Sequence, residues 1–265
     1  MKKGQTIYYT DELHDEFSDG GITARRIDEN YDYGGHGLGW KAGHIFWYYC
    51  IIIPFARVYM KLHFGHRVVG REKLPRKSRG ERGIFLYGNH TNQIPDAFIP
   101  TLLVRPRDMY VIVHPDNVSM PVLGRITPYL GALPLPDDSG AMRKFMKRIK
   151  EVILGGEYVT IYPEAHIWPY YTGIRPFPAA SFGYPLSLNA PVYCFTNTYQ
   201  KRGGLFSSSR PRIVTYVDGP FYGREGLSNA ERKQDLRDRV YETMCERAKS
   251  SNVELIHYVK KETET

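Results

Sequence analysis

Short apolar segments alternate with polar and turn-forming residues from about residue 83 onward. The pattern predicts buried strands over residues 84–87 and 109–113, because each run is brief, apolar and followed by polar or turn-type residues. Three later runs have the same character. They predict further strands over residues 158–162, 192–196 and 213–217.

Two other segments carry apolar residues at helical spacing. Over residues 139–153 such residues recur every three or four positions, and a Gly-Gly pair follows as a stop signal. Ser228, with Glu231 three residues later, has the pattern of a capping box. The helix behind it has one apolar stripe of Leu236, Val240 and Met244. Strands that alternate with helices predict an α/β fold with a mostly parallel central sheet covered by helices.

The most apolar stretch of the chain lies between Lys41 and Arg57. Only 15 residues separate these two charges, whereas a membrane-spanning helix needs about 20. We therefore predict a membrane-interface helix over residues 40–66; a buried core helix is the alternative. Clusters of Lys and Arg beside such a segment attract anionic headgroups. A basic run of this kind follows, with Arg67, Arg71, Lys73, Arg76, Lys77, Arg79 and Arg82.

The apolar segment divides the chain into three predicted parts. Residues 1–39 combine an acidic stretch with a glycine-rich run and show no sustained periodicity, which predicts an extended polar arm. Residues 40–66 form the N-terminal interfacial helix. Residues 67–265 contain the alternating strands and helices and form one domain, a length that α/β domains tolerate.

Composition narrows the classes of function. A hydrophobic share of 42% and a charged share of 24% argue against disorder, a fibrous repeat and a polytopic membrane protein. The net charge of +8 favours a polyanionic partner, which is nucleic acid, an anionic membrane or a phosphorylated substrate. The polar N-terminus does not have the pattern of a signal peptide. Neither a disulfide framework nor a zinc spacing follows from the three scattered cysteines, Cys50, Cys194 and Cys245, which fit a reducing cytoplasm.

Two candidate catalytic groups follow directly on predicted strands. His90 comes after the strand at 84–87, and Glu164 after the strand at 158–162. Ligands of open α/β sheets bind outside the carboxyl ends of the strands, so we expect both side chains in one crevice. A neutral imidazole can remove a proton from a hydroxyl, and a carboxylate such as Asp96 can fix its tautomer. Taken alone, the pair is weak evidence, because the chain has nine His and 28 acidic residues.

Several short segments around these residues occur in a distinctive order. Asn-His at 89–90 is followed by Asp96, and Tyr-Pro-Glu stands at 162–164. Met-Pro-Val-Leu-Gly-Arg begins at residue 120, Gly-Ile-Arg-Pro-Phe at 173, and Ala-Pro-Val at 190. This set resembles the four motifs of the lysophosphatidic acid acyltransferase family, a branch of the glycerolipid acyltransferases. The resemblance runs from about residue 84 to residue 199, behind an apolar segment such as that family often has.

The resemblance implies an activity and a location. Residues 67–265 would be an acyltransferase domain that moves a fatty acyl group from a thioester of coenzyme A or acyl carrier protein to a hydroxyl of a lysophospholipid or related glycerolipid. His90 would be the general base and Asp96 its orienting partner, with neither a cofactor nor a metal ion. The protein would work at the cytoplasmic face of the cell membrane as a peripheral or monotopic protein. Its partners would be the two substrates and an anionic membrane surface, without nucleic acid.

Further residues are expected to bind substrate, and the family pattern is not matched everywhere. Asn89 and Glu164 would help to place the acceptor. The family usually has four residues between its His and Asp, whereas this chain has five. Glu-Ala-His-Ile at 164–167 replaces the usual Glu-Gly-Thr-Arg, and Leu-Pro-Leu-Pro at 133–136 stands where the second motif has its Arg. Displaced groups would then serve the acceptor, and the candidates are Arg125, Arg175 and His166.

Three alternatives remain open at the level of sequence. A lipid hydrolase could use the same base on water, although the chain has no Gly-x-Ser-x-Gly segment. A catalytically impaired lipid-binding homologue would result if the longer His90 to Asp96 spacing kept the two side chains apart. Nucleic-acid binding agrees with the charge, but no Cys/His finger, RNA-binding aromatic signature or glycine phosphate loop supports it.

Overall fold

A seven-stranded sheet forms the centre of the protein, in the order β2-β8-β7-β3-β6-β4-β5. The computed structural model describes residues 4–18, 21–75, 81–104, 108–203 and 210–261. The strands of the central sheet are β2 (Arg67–Val69), β3 (Phe85–Gly88), β4 (Met109–Val113), β5 (Ala132–Pro134), β6 (Tyr158–Ile161), β7 (Val192–Gln200) and β8 (Arg212–Phe221). They follow a short first strand, β1 (Gln5–Tyr9).

Neighbouring strands of this sheet run parallel except for β7 and β8. The prediction of a mostly parallel sheet covered by helices is therefore confirmed. Each of the five predicted strands is present, and β7 and β8 are longer than their apolar runs, with nine and ten residues. The antiparallel pair joins β7 to β8 along the whole of β7, from Val192 opposite Phe221 to Gln200 opposite Arg212.

Helices cover both faces of the sheet. They are α3 (Gln93–Leu103), α4 (Ser139–Leu154), α5 (Gly183–Ser187) and α6 (Asn229–Ala248). Side chains of a strand point alternately to its two faces, and β3 shows the consequence. Phe85 and Tyr87 pack into the core beneath α4 and α6, whereas Leu86 packs into the core beneath α3.

The capping box predicted for α6 is present. The Ser228 side chain accepts the N–H of Glu231, and the Glu231 carboxylate accepts the N–H of Ser228 at 2.8 Å. The apolar stripe of this helix is buried, with Leu236, Val240 and Met244 each no more than 1% exposed. Residues 139–153 form α4, as the spacing predicts, and Asp138 caps it by accepting the N–H of Ala141 at 2.8 Å.

The apolar segment is one continuous helix, Gly37–Phe64, of 28 residues. It consists of α1 (Gly37–His44), a π-helical segment (Ile45–Ile52) and α2 (Ile53–Phe64). Its length and composition suffice to cross a membrane, with 22% of its most apolar window buried. Because the helix extends beyond both charges, the 15 residues between Lys41 and Arg57 do not by themselves exclude a spanning helix.

The N-terminal arm packs against the domain instead of extending from it. Its strand β1 pairs in parallel with β9 (Ile256–Lys260), and neither strand was predicted. Further on, the N–H of Ile27 donates to Asp137 at 2.6 Å, and Ile27 is fully buried. The hydroxyl of Tyr33 donates to the carbonyl of Pro134 at 3.1 Å. Contacts of this kind join the arm to the β5 edge of the sheet.

Candidate active site

The carboxyl ends of β3 and β6 bring the two predicted catalytic segments together. These strands are parallel neighbours, with Tyr87 opposite Ile161. His90 and Glu164 each lie three residues beyond that pair, so they emerge at the same edge of the sheet. The Glu164 carboxylate accepts the backbone N–H of His90 at 3.2 Å. The expectation that the two segments share one edge of the sheet agrees with this geometry.

His90 and Asp96 are in direct contact. The Nδ1 atom of His90 lies 2.9 Å from Oδ2 of Asp96. The same carboxylate oxygen accepts the N–H groups of Thr91 at 2.7 Å and Asn92 at 2.8 Å. Helix α3 begins at Gln93, so its first turn brings Asp96 back over the loop that carries His90. The additional residue between His90 and Asp96 is accommodated by this turn and does not separate the two side chains.

An aromatic ring packs against one face of the His90 ring. Its ring stacks on that of Tyr162, with centroids 4.4 Å apart and planes 17° from parallel. An ionised carboxylate only accepts hydrogen bonds, so in a neutral His90 the Nδ1 atom carries the proton and Nε2 is unprotonated. Among the described residues, no hydrogen bond engages Nε2, and the side chain is 19% exposed. The arrangement leaves a proton acceptor available at the sheet edge.

The second oxygen of Asp96 contacts a residue that the sequence did not single out. The Asn197 side-chain amide donates to Oδ1 at 3.3 Å. The backbone of Asn197 is in turn bound by Asn89, whose amide donates to its carbonyl at 3.0 Å and whose oxygen accepts its N–H at 2.8 Å. Asn89 is 1% exposed. Its polar atoms thus bind protein, and its role in binding substrate stays a prediction.

Glu164 and Arg175 form an ion pair inside the protein. The carboxylate lies 3.5 Å from the guanidinium and also accepts the backbone N–H of Arg175 at 3.2 Å. Burial raises the pKa of Glu164 to about 7, although the charge of Arg175 and the backbone N–H groups act in the opposite direction. Arg175 also donates to the carbonyls of Glu12, Glu164 and His166. Most of their polar atoms bind protein, although Nε of Arg175 is buried without a partner among the described residues. The predicted contacts of both side chains with substrate stay predictions.

The N-terminal arm covers the loop that carries Glu164. The indole N–H of Trp168 donates to the carbonyl of Asp15 at 2.8 Å, and Trp168 is fully buried. The His166 ring lies 3.3 Å from the carboxylate of Glu16. On its other side the loop is tied to the His90 segment, because the N–H of Tyr170 donates to the carbonyl of Thr91 at 2.8 Å. The loop is therefore fixed between the arm and the site.

Arg125 lies apart from these contacts. It is exposed on a short helix, Leu123–Arg125. No described contact joins it to His90 or Glu164, and its predicted role as a substitute cation remains untested. Among the described residues there is also no cluster of three or more His, Cys, Asp or Glu side chains that could hold a metal ion.

Sequence reasoning missed Asn197 and Tyr162 as parts of the site. A signal for Asn197 existed, because Asn is depleted in strands and this one occurs within the buried strand β7, where it is 3% exposed. A buried polar group needs partners, and here they include Asp96. The contact of Tyr162 with His90 depends on the spacing of adjacent strands, which no local pattern reveals.

Comparison with known proteins places this site within a family. A family model described as Acyltransferase matches residues 65–197, which is half of the chain and includes His90, Asp96 and Glu164. The chain belongs to this acyltransferase family. Among solved structures, it is similar to the 1-acyl-sn-glycerophosphate (LPA) acyltransferase PlsC from Thermotoga maritima, with a TM-score of 0.52 and 15% identity over 74% of this chain and 78% of that chain. That likeness shows a shared fold. No curated protein matches the chain.

Proposed function

We propose that this protein transfers a fatty acyl group from a thioester to a hydroxyl of a lysophospholipid or related glycerolipid, with His90 as general base. The observation that carries the proposal is the 2.9 Å contact between His90 Nδ1 and Asp96, which leaves Nε2 directed away from the carboxylate. A base needs such an orientation to receive a proton from a bound hydroxyl. The fold and family agree with this reaction class.

The chemistry follows from the two ring nitrogens. Nε2 of His90 removes the proton of the acceptor hydroxyl while its oxygen attacks the thioester carbonyl, and Asp96 stabilises the imidazolium that forms. Backbone N–H groups at the sheet edge stabilise the negative oxygen of the tetrahedral intermediate. Collapse of that intermediate breaks the carbon–sulfur bond, and the departing thiolate takes the proton from His90. The products are the acylated lipid and the free thiol of coenzyme A or acyl carrier protein.

Glu164 supports the acceptor site through the backbone in this account. Its carboxylate accepts N–H groups from both His90 and Arg175, which lie in different loops. The ion pair with Arg175 offsets part of the cost of burying the charge. Glu164 therefore fixes the loop after β6 against the segment that carries His90. This fixed arrangement of the two loops would help to place the acceptor beside His90.

The apolar helix supports a location at a membrane surface. One stripe of the helix packs on the domain, comprising His44, Tyr48, Ile53, Ala56, Met60 and Phe64. A helix that packs lengthwise on a domain is suited to lie in the bilayer interface. Apolar side chains on its other sides are largely exposed, namely Leu38, Ile45, Phe46, Ile51, Phe55, Val58 and Leu62. We propose that these side chains enter the cytoplasmic leaflet, where acyl thioesters are available.

Several cations of the basic run also bind within the protein. Arg71 donates to the carbonyl of Leu103 at 3.1 Å, and Lys73 pairs with Asp218 at 2.6 Å. Arg82 donates to the carbonyl of Leu188 at 2.7 Å. Residues 76–80, which include three cations of the run, lie outside the described residues. The net charge of +8 still favours an anionic bilayer over a neutral one.

Product analysis tests the proposed reaction. Purified protein would be incubated with acyl-coenzyme A or acyl carrier protein thioesters carrying a labelled acyl chain, beside a panel of lysophospholipids that includes a phosphate monoester. We expect label in a diacyl lipid that appears only when the acceptor is present. Labelled free fatty acid without any acceptor would instead indicate a hydrolase. Binding of lipid without any product would indicate a non-catalytic lipid-binding protein.

A further inference from the structure

A chain of hydrogen bonds extends from Asp96 into the protein, away from His90. The Asn197 amide donates to Asp96 Oδ1 at 3.3 Å. The Asn197 side-chain oxygen lies 2.7 Å from the hydroxyl of Thr215. That hydroxyl lies 2.9 Å from Nε2 of His66. Asn197 is 3% exposed and Thr215 is fully buried, so water does not compete for these bonds.

Asp96 determines which group donates and which accepts in each of these hydrogen bonds. An ionised Asp96 only accepts, so Asn197 must turn its NH₂ group toward it and its oxygen toward Thr215. The Thr215 hydroxyl then donates to Asn197 and accepts from His66. Burial lowers the pKa of His66 to about 4, so its ring is neutral near neutral pH and carries its one proton on Nε2.

Strand pairing and a second amide hold Asn197 in place. Asn197 on β7 lies directly opposite Thr215 on β8 in the antiparallel register. Its backbone N–H and carbonyl are both bound by Asn89, the residue before His90. The remaining freedom of Asn197 is the flip of its carboxamide. Asp96 and Thr215 favour the same orientation, because only in that orientation does the carboxamide donate to Asp96 and accept the hydroxyl proton of Thr215.

We propose that Asn197 is a positioning residue that keeps the Asp96 carboxylate aligned with His90, and that Thr215 and His66 fix the orientation of its carboxamide. The inference rests on the proposed function, since it assigns Asn197 a part in the activity of the same pair. A flipped carboxamide would place its oxygen against Oδ1 of Asp96. Repulsion between the two oxygens would then turn the carboxylate away from His90.

His66, the last residue of this series of hydrogen bonds, lies just after the apolar helix. Phe64 is the last residue of α2, and the N–H of His66 donates to the carbonyl of Met60 in the last turn of that helix. The backbone of His66 is thus joined to the helix that we propose for membrane binding. The hydrogen-bond chain connects that helix to the His90 and Asp96 pair.

Conservative changes at Thr215 test the proposal. Thr215→Val removes the hydroxyl with little change in shape, whereas Thr215→Ser keeps it. We expect Thr215→Val to lower kcat about tenfold or more, because the carboxamide loses its orienting bond. KM for both substrates should stay unchanged, since the residue is buried behind Asp96. Thr215→Ser should retain most of the activity.

A neighbouring threonine provides the matched control. Thr198 is also fully buried on β7 and donates to the carbonyl of Val214 at 2.9 Å, outside the chain to Asp96. Thr198→Val should therefore affect stability without the selective loss of kcat. If Thr215→Val does not fold, His66→Leu and His66→Gln form a second pair, in which only Gln keeps a donor for Thr215.

The outcomes separate this proposal from the proposed function. Equal kcat for Thr215→Val, Thr215→Ser and the parent protein would overturn the role of Asn197 and leave acyl transfer by His90 intact. Equal losses in Thr215→Val and Thr198→Val would also overturn it, because they would indicate a general effect on stability. A parent protein without any acyl transfer would overturn both proposals.

Discussion

At the scale of single residues, the candidate site is organised around one carboxylate. Asp96 accepts from one side chain on each of its oxygens, and Oδ2 accepts two backbone N–H groups as well. Hydrogen bonds to an ionised acceptor are stronger than those between neutral groups. The orientation of His90 therefore depends on a carboxylate whose own position is set by several independent donors.

Asp96→Asn should reduce acyl transfer sharply. Asparagine keeps the size of the side chain but turns an N–H group toward at least one of the donors that now bind Asp96, and it cannot stabilise an imidazolium. We expect kcat to fall by about two to four orders of magnitude. Steady-state kinetics would measure the loss. Asp116→Asn is the control, because Asp116 lies 3.0 Å from the exposed His114 and no described contact joins this pair to His90 or Asp96. Comparable rates for Asp96→Asn and the parent would contradict the role of Asp96.

Glu164 should make stability depend on pH. Its pKa is raised from 4.5 to about 7 by burial, so between these values the folded protein holds a proton that the unfolded chain has released. The contribution of Glu164 to the free energy of unfolding is therefore complete below about pH 4.5 and is lost as the pH rises through about 7. Glu164→Gln removes this titration and should flatten the decline.

Denaturant unfolding between about pH 5 and pH 8 would measure the effect of Glu164. Glu246→Gln offers a control, because Glu246 is exposed and pairs only with Lys249 in the described contacts. Its curve should follow that of the parent. The same pH slope for the parent and Glu164→Gln would show that the buried carboxyl does not titrate in this range.

The positions of the candidate site residues were easier to predict than the contacts that hold them. His90, Asp96 and Glu164 could be found because they occur in motifs at strand ends, where local order along the chain carries information. Asn197 and Tyr162 could not be assigned, because their contacts join β7 and β6 to the segment after β3. Contacts of that kind are set by the order of strands in the sheet.

At the scale of elements, apolar runs in the sequence predicted the central strands but did not predict the short or exposed elements. β2 and β5 have three residues each, too few for a pattern. β1 and β9 are partly exposed, and their sequences lack a continuous apolar run. Helix α3 contains Pro100, which interrupts its apolar pattern, because proline disfavours helix interiors. Local sequence thus revealed the buried elements with uninterrupted patterns.

The capping box of α6 should contribute measurably to stability. Ser228→Ala removes the acceptor for the N–H of Glu231 and should lower the free energy of unfolding by about 1 kcal/mol. Ser228→Gly should lower the free energy of unfolding by only roughly a few tenths of a kcal/mol, because glycine leaves the end of the helix open to water. Urea unfolding of both variants would measure the difference. A smaller loss for alanine than for glycine would contradict the capping role.

At the scale of the whole molecule, the apolar helix and the site are parts of one packed unit. Tyr48 accepts the N–H of Met109 at the start of β4 at 2.9 Å, and His44 lies 2.6 Å from the carbonyl of Tyr129. Exposed Val122 and Leu123 lie in the loop leading to the segment that contains Tyr129. The helix therefore has a fixed orientation on the domain, and its exposed apolar side chains form a surface suited to a bilayer.

Charged substitutions on that surface should weaken membrane binding. Phe55→Asp and Leu62→Asp change side chains that are 56% and 66% exposed, so the fold should tolerate them. Each should reduce binding to anionic lipid vesicles by about tenfold or more, since burial of such a side chain is worth roughly 1.5–3 kcal/mol. Co-sedimentation with vesicles would measure the binding. Leu154→Asp, at an exposed leucine on α4, should leave it unchanged. Unaltered binding of the helix variants would contradict the assigned surface.

The most direct test of the whole account compares acyl transfer by the parent protein, His90→Ala and His114→Ala. His114 is an exposed histidine that also contacts a carboxylate, and no described contact joins it to His90 or Asp96, so its removal matches the chemical change. Formation of the acylated lipid would be followed with the acceptor identified by product analysis. We predict that His90→Ala remains folded and loses transfer, whereas His114→Ala keeps it. Equal rates for the three proteins would contradict the assignment of His90 as the general base.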